Sequence, residues 1–275
     1  MQKFSAAWLV RKAVFRRLSG VEPEIFMEMV HRLEPHWAKQ ESRKALIGRP
    51  HGVGGLNDHL LVLLILYRCH MTQEFLGCVY GVDKASICRA LQRIERLAQR
   101  VLGVKRSIRV TKEEAEALIL DCTEQMIERP ERRQKRWYSG KKKRHTIKTE
   151  MIMTEIGRIV ALSKPHPGSR HDLVIRRHGE TLPHNAHVYA DSGYQGLADD
   201  HPNLDIPYKK SKNRPLTADE RAYNRALSRF RIRVEHGFAR IKTFRIMAER
   251  YRYPRSKYHT KIAIIGGICN LQAGF

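Results

Sequence analysis

The sequence has few acidic residues for its length. Asp and Glu number 28 among 275 residues, against 52 Lys and Arg, so the formal net charge is +24. Like charges in a folded chain repel one another unless a polyanion neutralises them, and each phosphate contact of a nucleic acid also releases a counterion. Nucleic acid is therefore the expected partner. A generally basic surface without a specific partner is the alternative.

Long apolar runs and paired cysteines are also missing. The longest apolar stretch, residues 60–67, is far below the roughly 18 residues that a membrane span needs. Near the N-terminus, Arg11 and Lys12 interrupt any signal-peptide core. The five cysteines form no Cys-x-x-Cys pair, which argues against a zinc site or a disulfide framework. We therefore expect a cytoplasmic protein without a membrane segment.

Two zones with different patterns of apolar residues follow one another along the chain. Residues 1–103 have the periodicity of helices, whereas from about residue 115 short apolar strands alternate with helices. The sequence therefore predicts an all-α domain over residues 1–103 and an α/β domain over residues 104–275.

In the first zone, residues 72–100 predict a helix, a tight turn and a second helix. Thr72 and Asp83 are suitable N-caps for the two helices. The second helix carries an apolar stripe formed by Ile87, Leu91, Ile94 and Leu97. Its other face is basic and includes Lys84, Arg89 and Arg93. A helix-turn-helix with a basic second helix has the shape that enters a DNA major groove. An ordinary helical hairpin with a solvated basic face is the alternative.

The second zone predicts a mixed α/β sheet. Three strands come first, at residues 117–122, 146–153 and 158–163, and a turn at residues 155–157 pairs the last two. The elements that follow are a helix at 171–178, short strands at 186–191 and 203–207, and helices at 217–246 and 256–271.

Three acidic residues in this zone suit metal-dependent chemistry on phosphodiesters. Asp121 ends an apolar strand, where a charge needs a cation or another partner. Asp191 ends a second strand, just before a glycine turn, as sites in α/β sheets often do. Glu235 lies on a helix beside Ile232 and Phe238, which predicts that its side chain faces inward. Cleavage with two metal ions requires converging carboxylates, which Mg²⁺ prefers as ligands. Taken alone, each acid has an alternative role as a turn cap or as a partner in a surface ion pair.

Four other acids compete as metal ligands. Asp199 and Asp200 fall in a polar loop and are expected to be solvated, and Asp205 lies nearby in the sequence. Asp172 can cap its helix, and we expect it at most to contact the ligands rather than a metal ion.

Several segments resemble, in the right order, the blocks of IS5-like bacterial insertion-sequence transposases. The segment LILDCTEQMIERPERRQKRWYSGKKKRHTIKTEMIM resembles the first catalytic block. The segments GSRHDL and HVYADSGYQG resemble the blocks that follow, and YNRALSRFRIRVEHGFARIKTFRI resembles the third block. The resemblance spans residues 56–271, and the order of the blocks makes it specific.

This resemblance implies an RNase H-like catalytic domain with a DDE triad. The triad would consist of Asp121, Asp191 and Glu235, and it would hold two Mg²⁺ ions, for which Mn²⁺ can substitute. Asp121 would lie between the two ions, and the other two acids would flank them.

Related transposases also carry a Tyr-Arg-Glu-Lys signature around the third acid. Arg231 and Lys242 stand at the matching spacings, and Ser228 stands where the tyrosine would be. We expect Arg231 and Lys242 to lie near scissile or flanking phosphates.

A basic hairpin at residues 129–148 joins the first two strands of the sheet. Its predicted DNA-binding residues are Arg132, Arg133, Arg136, Lys141, Lys142, Lys143 and Arg144. Trp137 and Tyr138 interrupt the charges and are available to stack on distorted DNA ends. A disordered basic loop with Trp137 in the core is the alternative.

These features together predict a DNA transposase on the bacterial nucleoid. It would bind inverted-repeat ends through the helix-turn-helix, nick them by metal-dependent hydrolysis and join the 3′-OH ends to target DNA. A homodimer is expected, because two DNA ends must be brought together. Two alternatives stay open: a catalytically inactive helix-turn-helix regulator derived from a transposase, and a stand-alone metal-dependent nuclease.

Overall fold

The computed structural model describes residues 4–42, 51–211 and 214–275. Within these ranges the chain divides into two compact units. The first comprises Met1–Gly103, Ile241–Glu249 and Thr260–Gly274, and the second comprises Val104–Arg240, Arg250–His259 and Phe275.

The first unit is built from helices. They are α1 (Ala6–Leu9), α2 (Phe15–Ser19), α3 (Pro23–Glu41), α4 (Leu56–Cys69), α5 (Gln73–Tyr80), α6 (Lys84–Val101), and, later in the chain, α11 (Arg245–Ala248) and most of α12 (Tyr258–Gln272). Helix α4 is buried on nearly all sides, as is typical of the central helix of a core. Of the described helices, none is both long and apolar enough to cross a membrane.

Helices α5 and α6 match the helix, turn and helix predicted at residues 72–100. Thr72 caps α5 by accepting a hydrogen bond from the amide of Phe75 at 3.2 Å. Asp83 caps α6 by accepting one from the amide of Ser86 at 2.7 Å. Gly81 takes a left-handed conformation between them, with φ 65°, which glycine adopts without strain. DNA recognition by these helices stays a prediction.

The second unit contains a seven-stranded sheet, and the predicted mixed α/β architecture is confirmed. Its strands are β1 (Leu118–Met126), β2 (Tyr138–Ser139), β3 (Arg144–Thr154), β4 (Ile159–Leu162), β5 (His166–Pro167), β6 (Val188–Tyr189) and β7 (Leu204–Asp205). The main strand order is β2-β3-β1-β6-β7, and β4 and β5 both pair with β3. Strands β1 and β3 are antiparallel, whereas β6 runs parallel to β1 and to β7.

The second unit also contains the helices α7 (Lys112–Ala115), α8 (Gln134–Trp137), α9 (Asp172–Arg177) and most of α10 (Ala218–Lys242). Gly237 brings α10 close to β3, because a Cβ there would lie 2.8 Å from side-chain atoms of Met151 and Met153. The helix therefore packs directly on the central hairpin of the sheet.

The C-terminal helix α12 lies mostly in the first unit, although the sequence predicts one domain over residues 104–275. The cause is its composition: Ile262, Ile265 and Ile268 are buried, and so are most residues between them. A Cβ at Gly267 would lie 1.9 Å from the carbonyl oxygen of Leu102, so only glycine permits this close approach.

Candidate active site

Asp121 lies in the middle of β1, opposite Met151 of β3. Its side chain is 21% exposed, and its Oδ2 atom lies 3.6 Å from Nη2 of Arg231 on α10. Burial raises the pKa of Asp121 to about 6; Arg231 opposes this shift, and the carboxylates of Asp191 and Asp172 add to it. Several negative charges therefore share this part of the sheet.

Asp191 follows β6, the parallel neighbour of β1. The pairing matches Leu118 with Val188 and Ile119 with Tyr189, and the same register carried two residues on brings Asp121 opposite Asp191. Neighbouring strands are separated by about 4.8 Å. Oδ1 of Asp191 accepts a hydrogen bond from the amide of Gly193 at 2.7 Å. The two predicted aspartates thus lie opposite each other on adjacent segments of the sheet.

Asp172, the first residue of α9, lies beside Asp191. A Cβ placed on Gly193 would be 2.8 Å from Oδ2 of Asp172 and 2.8 Å from Oδ1 of Asp191. The two oxygens are therefore no more than twice that distance apart. The expectation that Asp172 contacts the predicted ligands agrees with this geometry.

Glu235 does not lie with the aspartates. The buried face of α10 consists of Leu227, Val234, Phe238 and Ile241. Glu235 is exposed, and Ile232 is 47% exposed. The prediction that Glu235 faces inward beside Ile232 is wrong, because Val234 rather than Ile232 takes the core position. Among the residues that the structure describes, no group of three or more His, Cys, Asp or Glu side chains could hold a metal ion.

Comparisons with known proteins identify the family. Residues 120–271, which include Asp121, Asp191 and Glu235, match the family described as DDE superfamily endonuclease. A protein of Microchaete diplosiphon, named as a transposase for insertion sequence element IS702, is 31% identical over 265 residues, which cover 94% of each chain. The chain belongs to the insertion-sequence DDE transposases. A protein of Streptomyces albus G, named as a transposase for insertion sequence element IS112, is 25% identical over 240 residues and 84% of each chain. No solved structure matches the transposase.

Membership of this family confirms the predicted resemblance and implies an endonuclease that acts on DNA. The mixed sheet of the second unit fits a nuclease fold of the DDE type. Enzymes of this superfamily generally use divalent metal ions.

The signature residues of the transposase lie at different depths. Arg231 is 17% exposed on its side chain, and its Nε atom is buried without a hydrogen-bond partner in the described structure. Ser228 and Lys242 are exposed. Arg231 therefore contacts the predicted ligand Asp121 from a partly buried position.

Lys148 is a buried residue of the site that the sequence prediction missed. Its Nζ atom lies 3.0 Å from Oδ1 of Asp172 and 3.4 Å from Oε1 of Glu124, and its side chain is 10% exposed. It also donates to the carbonyl oxygen of Arg170 at 3.0 Å. Lys148 therefore fixes Asp172 and partly balances the negative charge.

A second missed group lies behind Asp121. Nη1 of Arg176 donates to Oε2 of buried Glu150 at 2.7 Å, and burial raises the pKa of Glu150 to about 7. The hydroxyl of Tyr194 lies 3.4 Å from Sγ of Cys122. The available signal was the spacing of Lys148 and Glu150, two residues apart in β3, which places both charges on one face of the strand.

The remaining acids that compete as ligands lie elsewhere. The side chains of Asp199 and Asp200 are 80% and 47% exposed, as predicted for solvated acids, and Asp200 also pairs with Arg177 at 2.7 Å. Asp205 lies 2.6 Å from Nε2 of His187.

The predicted DNA-binding residues are mostly at the surface. On α6, Lys84 pairs with Glu74 at 2.5 Å, and Arg89 is exposed. Arg93 is half-buried, with Nη1 3.0 Å from Nδ1 of His51. The hairpin residues Arg132, Arg133, Arg136, Lys141, Lys142, Lys143 and Arg144 are all exposed.

Proposed function

We propose that this transposase binds the inverted-repeat ends of an insertion sequence, nicks them by metal-dependent hydrolysis and joins the freed 3′-OH ends to target DNA. The observation that carries the proposal is the strand register that brings Asp121 opposite Asp191. Two carboxylates on neighbouring strands are held in place by the backbone, which is what phosphodiester chemistry at a fixed point requires.

The residues present fit a divalent cation at the two aspartates. Asp121 is partly buried beside Asp191 and Asp172, and their mutual repulsion contributes to its raised pKa. Carboxylate oxygens are the ligands that Mg²⁺ prefers, so Asp121 and Asp191 would hold Mg²⁺ or Mn²⁺. A bound ion supplies a Lewis acid and a nucleophile at neutral pH. Glu235 is the proposed third ligand, and its exposed side chain would have to turn towards the aspartates.

Arg231 is suited to orient the phosphate that is cut. Its guanidinium lies 3.6 Å from Asp121, and its Nε atom is buried without a hydrogen-bond partner in the described structure. Guanidinium groups bind phosphate oxygens through two hydrogen bonds. The guanidinium of Arg231 would bind a substrate oxygen and place that phosphate next to the aspartates.

The basic residues at the surface would hold the DNA. Helix α6 with Lys84, Arg89 and Arg93 is proposed to recognise the ends, and the basic hairpin is proposed to hold the backbone. A net charge of +24 favours such binding. A homodimer would bring the two ends together.

The test is an end-cleavage assay with the purified full chain, Mg²⁺ and the genomic segment that carries the gene with its flanking DNA. The wild type should nick the ends and join them to a target plasmid. Asp121→Asn should do neither, whereas Asp199→Asn, a change at a solvated acid, should behave as the wild type. Mn²⁺ should also raise the thermal midpoint of the wild type without DNA, and it should not do so for Asp121→Asn.

Three outcomes would contradict the proposal. Cleavage that survives in Asp121→Asn would contradict the metal site. Cleavage without joining would favour a stand-alone nuclease, and binding of the ends without cleavage would favour a regulator.

A further inference from the structure

A basic cleft lies beside the carboxyl end of β1. Residues 127–132 form one wall and residues 251–256 form the other. A parallel bridge between Ile127 and Tyr251 joins the walls, and the amide of Tyr251 donates to the carbonyl oxygen of Met126 at 2.8 Å. The backbone therefore fixes the floor of the basic cleft.

Positive charge exceeds negative charge on both walls together. The charged lining residues are Arg129, Arg132, Arg252 and Arg255 against Glu128 and Glu131. All six are exposed. Arginine binds phosphate more specifically than lysine does, because its planar donors match phosphate oxygens. The basic cleft thus has the charge and the donors that a phosphodiester backbone requires.

The basic cleft is continuous with the basic hairpin. The guanidinium of Arg255 lies 4.5 Å from the centre of the Trp137 ring, and Trp137 belongs to α8 within the hairpin. Nε of Arg129 donates to Oε1 of Gln134, also in α8, at 2.9 Å. Both walls therefore contact the same short helix, and the two basic surfaces form one track.

The aromatic residues of the track are engaged in packing. Tyr251 is 1% exposed, and its ring centre lies 5.7 Å from that of Tyr253, which is half-buried. Trp137 is covered on one face by Arg255. Guanidinium groups, rather than open aromatic faces, line the basic cleft, which favours a phosphate backbone over unstacked bases.

We infer that the basic cleft binds the phosphate backbone of duplex DNA that flanks the cleavage site. Ile127 lies six positions after Asp121 in the chain, just beyond the end of β1, which corresponds to about 20 Å along a strand or about six base pairs of duplex. The inference rests on the proposed function, since it takes Asp121 as the point of cleavage. It adds residues 251–256 to the predicted DNA-binding surface.

The test measures how DNA affinity depends on salt concentration for the wild type and for a double variant that carries Arg132→Gln and Arg252→Gln. Each phosphate contact contributes about 0.9 to the slope of log affinity against log salt, so the double variant should lose about 1.8. From about 50 to 200 mM salt, the wild type should then lose about twelve-fold more affinity than the variant does. The effect should be equal for end DNA and for unrelated duplex DNA.

Two matched pairs control for net charge. Arg109→Gln with Lys112→Gln removes the same charge from exposed residues before the amino end of β1, and its slope should stay that of the wild type. Glu128→Gln with Glu131→Gln should strengthen binding, because it removes negative charge from the basic cleft itself.

A wild-type slope in Arg132→Gln with Arg252→Gln would overturn the inference, as would an equal loss in the Arg109 and Lys112 pair. A larger loss for single-stranded DNA than for duplex would overturn the assignment to duplex. Each of these outcomes leaves the Asp121→Asn result intact, so the proposed function would survive. If the wild type bound no DNA at all, both proposals would fail.

Discussion

The sheet and helix α10 fix their acidic residues in different ways. Asp121 and Asp191 are placed by the register of β1 and β6, which does not depend on the direction of a side chain. Glu235 is placed by which face of α10 is apolar, and that face passes through Val234 and Phe238. The comparison teaches that a strand pair can be preorganised for catalysis in the free protein, whereas the third acid depends on rotation of one exposed side chain.

Beyond the loss of cleavage already expected for Asp121→Asn, the largest effect is expected from Glu235→Gln. If the side chain turns in to complete the site, this variant should lose cleavage by up to about a thousand-fold, as when a group that stabilises transition-state charge is removed. Its stability should stay within about 0.5 kcal/mol of the wild type, because the residue is exposed. End cleavage and thermal unfolding measure the two quantities.

Asp219→Asn is the matched control, since Asp219 is an exposed acid in the first turn of the same helix. It should leave both cleavage and stability unchanged. Cleavage by Glu235→Gln within ten-fold of the wild type would show that the two aspartates act without it.

Asp121→Asn should abolish cleavage and yet raise the free energy of unfolding at neutral pH relative to its effect at low pH. The folded pKa of about 6 lies above the ordinary value of 3.8, so the unfolded chain loses its proton first as pH rises. The ionised group therefore lowers the free energy of unfolding increasingly between about pH 4 and 6. The free energy of unfolding of the variant minus that of the wild type should therefore increase with pH. Above pH 6 this difference should be about 3 kcal/mol larger than at low pH.

Urea unfolding of both proteins at a series of pH values, in the presence of a chelator, measures this difference. A difference that stays constant from pH 4 to pH 7 would contradict the raised pKa of the partly buried Asp121 carboxyl.

Most of the strand and helix pattern could be predicted because it depends on local sequence. Capping by Thr72 and Asp83 was predicted from side-chain chemistry alone. Apolar runs and the turn at residues 155–157 predicted the pairing of β3 with β4. Asp121 could be singled out as an acid within an apolar strand.

What could not be predicted depends on contacts between distant residues. The register of β1 against β6 joins segments about 70 residues apart and follows from packing of the whole sheet. For α10, one residue decides the face: Ile232 and Val234 are both apolar, but Val234 is buried and Ile232 is exposed. The same holds for Lys148, whose partners Asp172 and Glu124 come from different elements.

The smallest of the three effects concerns Gly193, which lies between the carboxylates of Asp172 and Asp191. A methyl group in Gly193→Ala would be 2.8 Å from an oxygen of each, so one or both must move. A displacement of about 1 Å lowers catalysis by about a hundred-fold, and end cleavage should fall by that order. Gly140→Ala is the matched control, because a Cβ there meets nothing within 4 Å, and it should cleave as the wild type does. If Gly193→Ala cleaved equally well, the aspartates would not be held rigidly in the free protein. Asp121 and Asp191 would then, like Glu235, need substrate to reach their positions in the site.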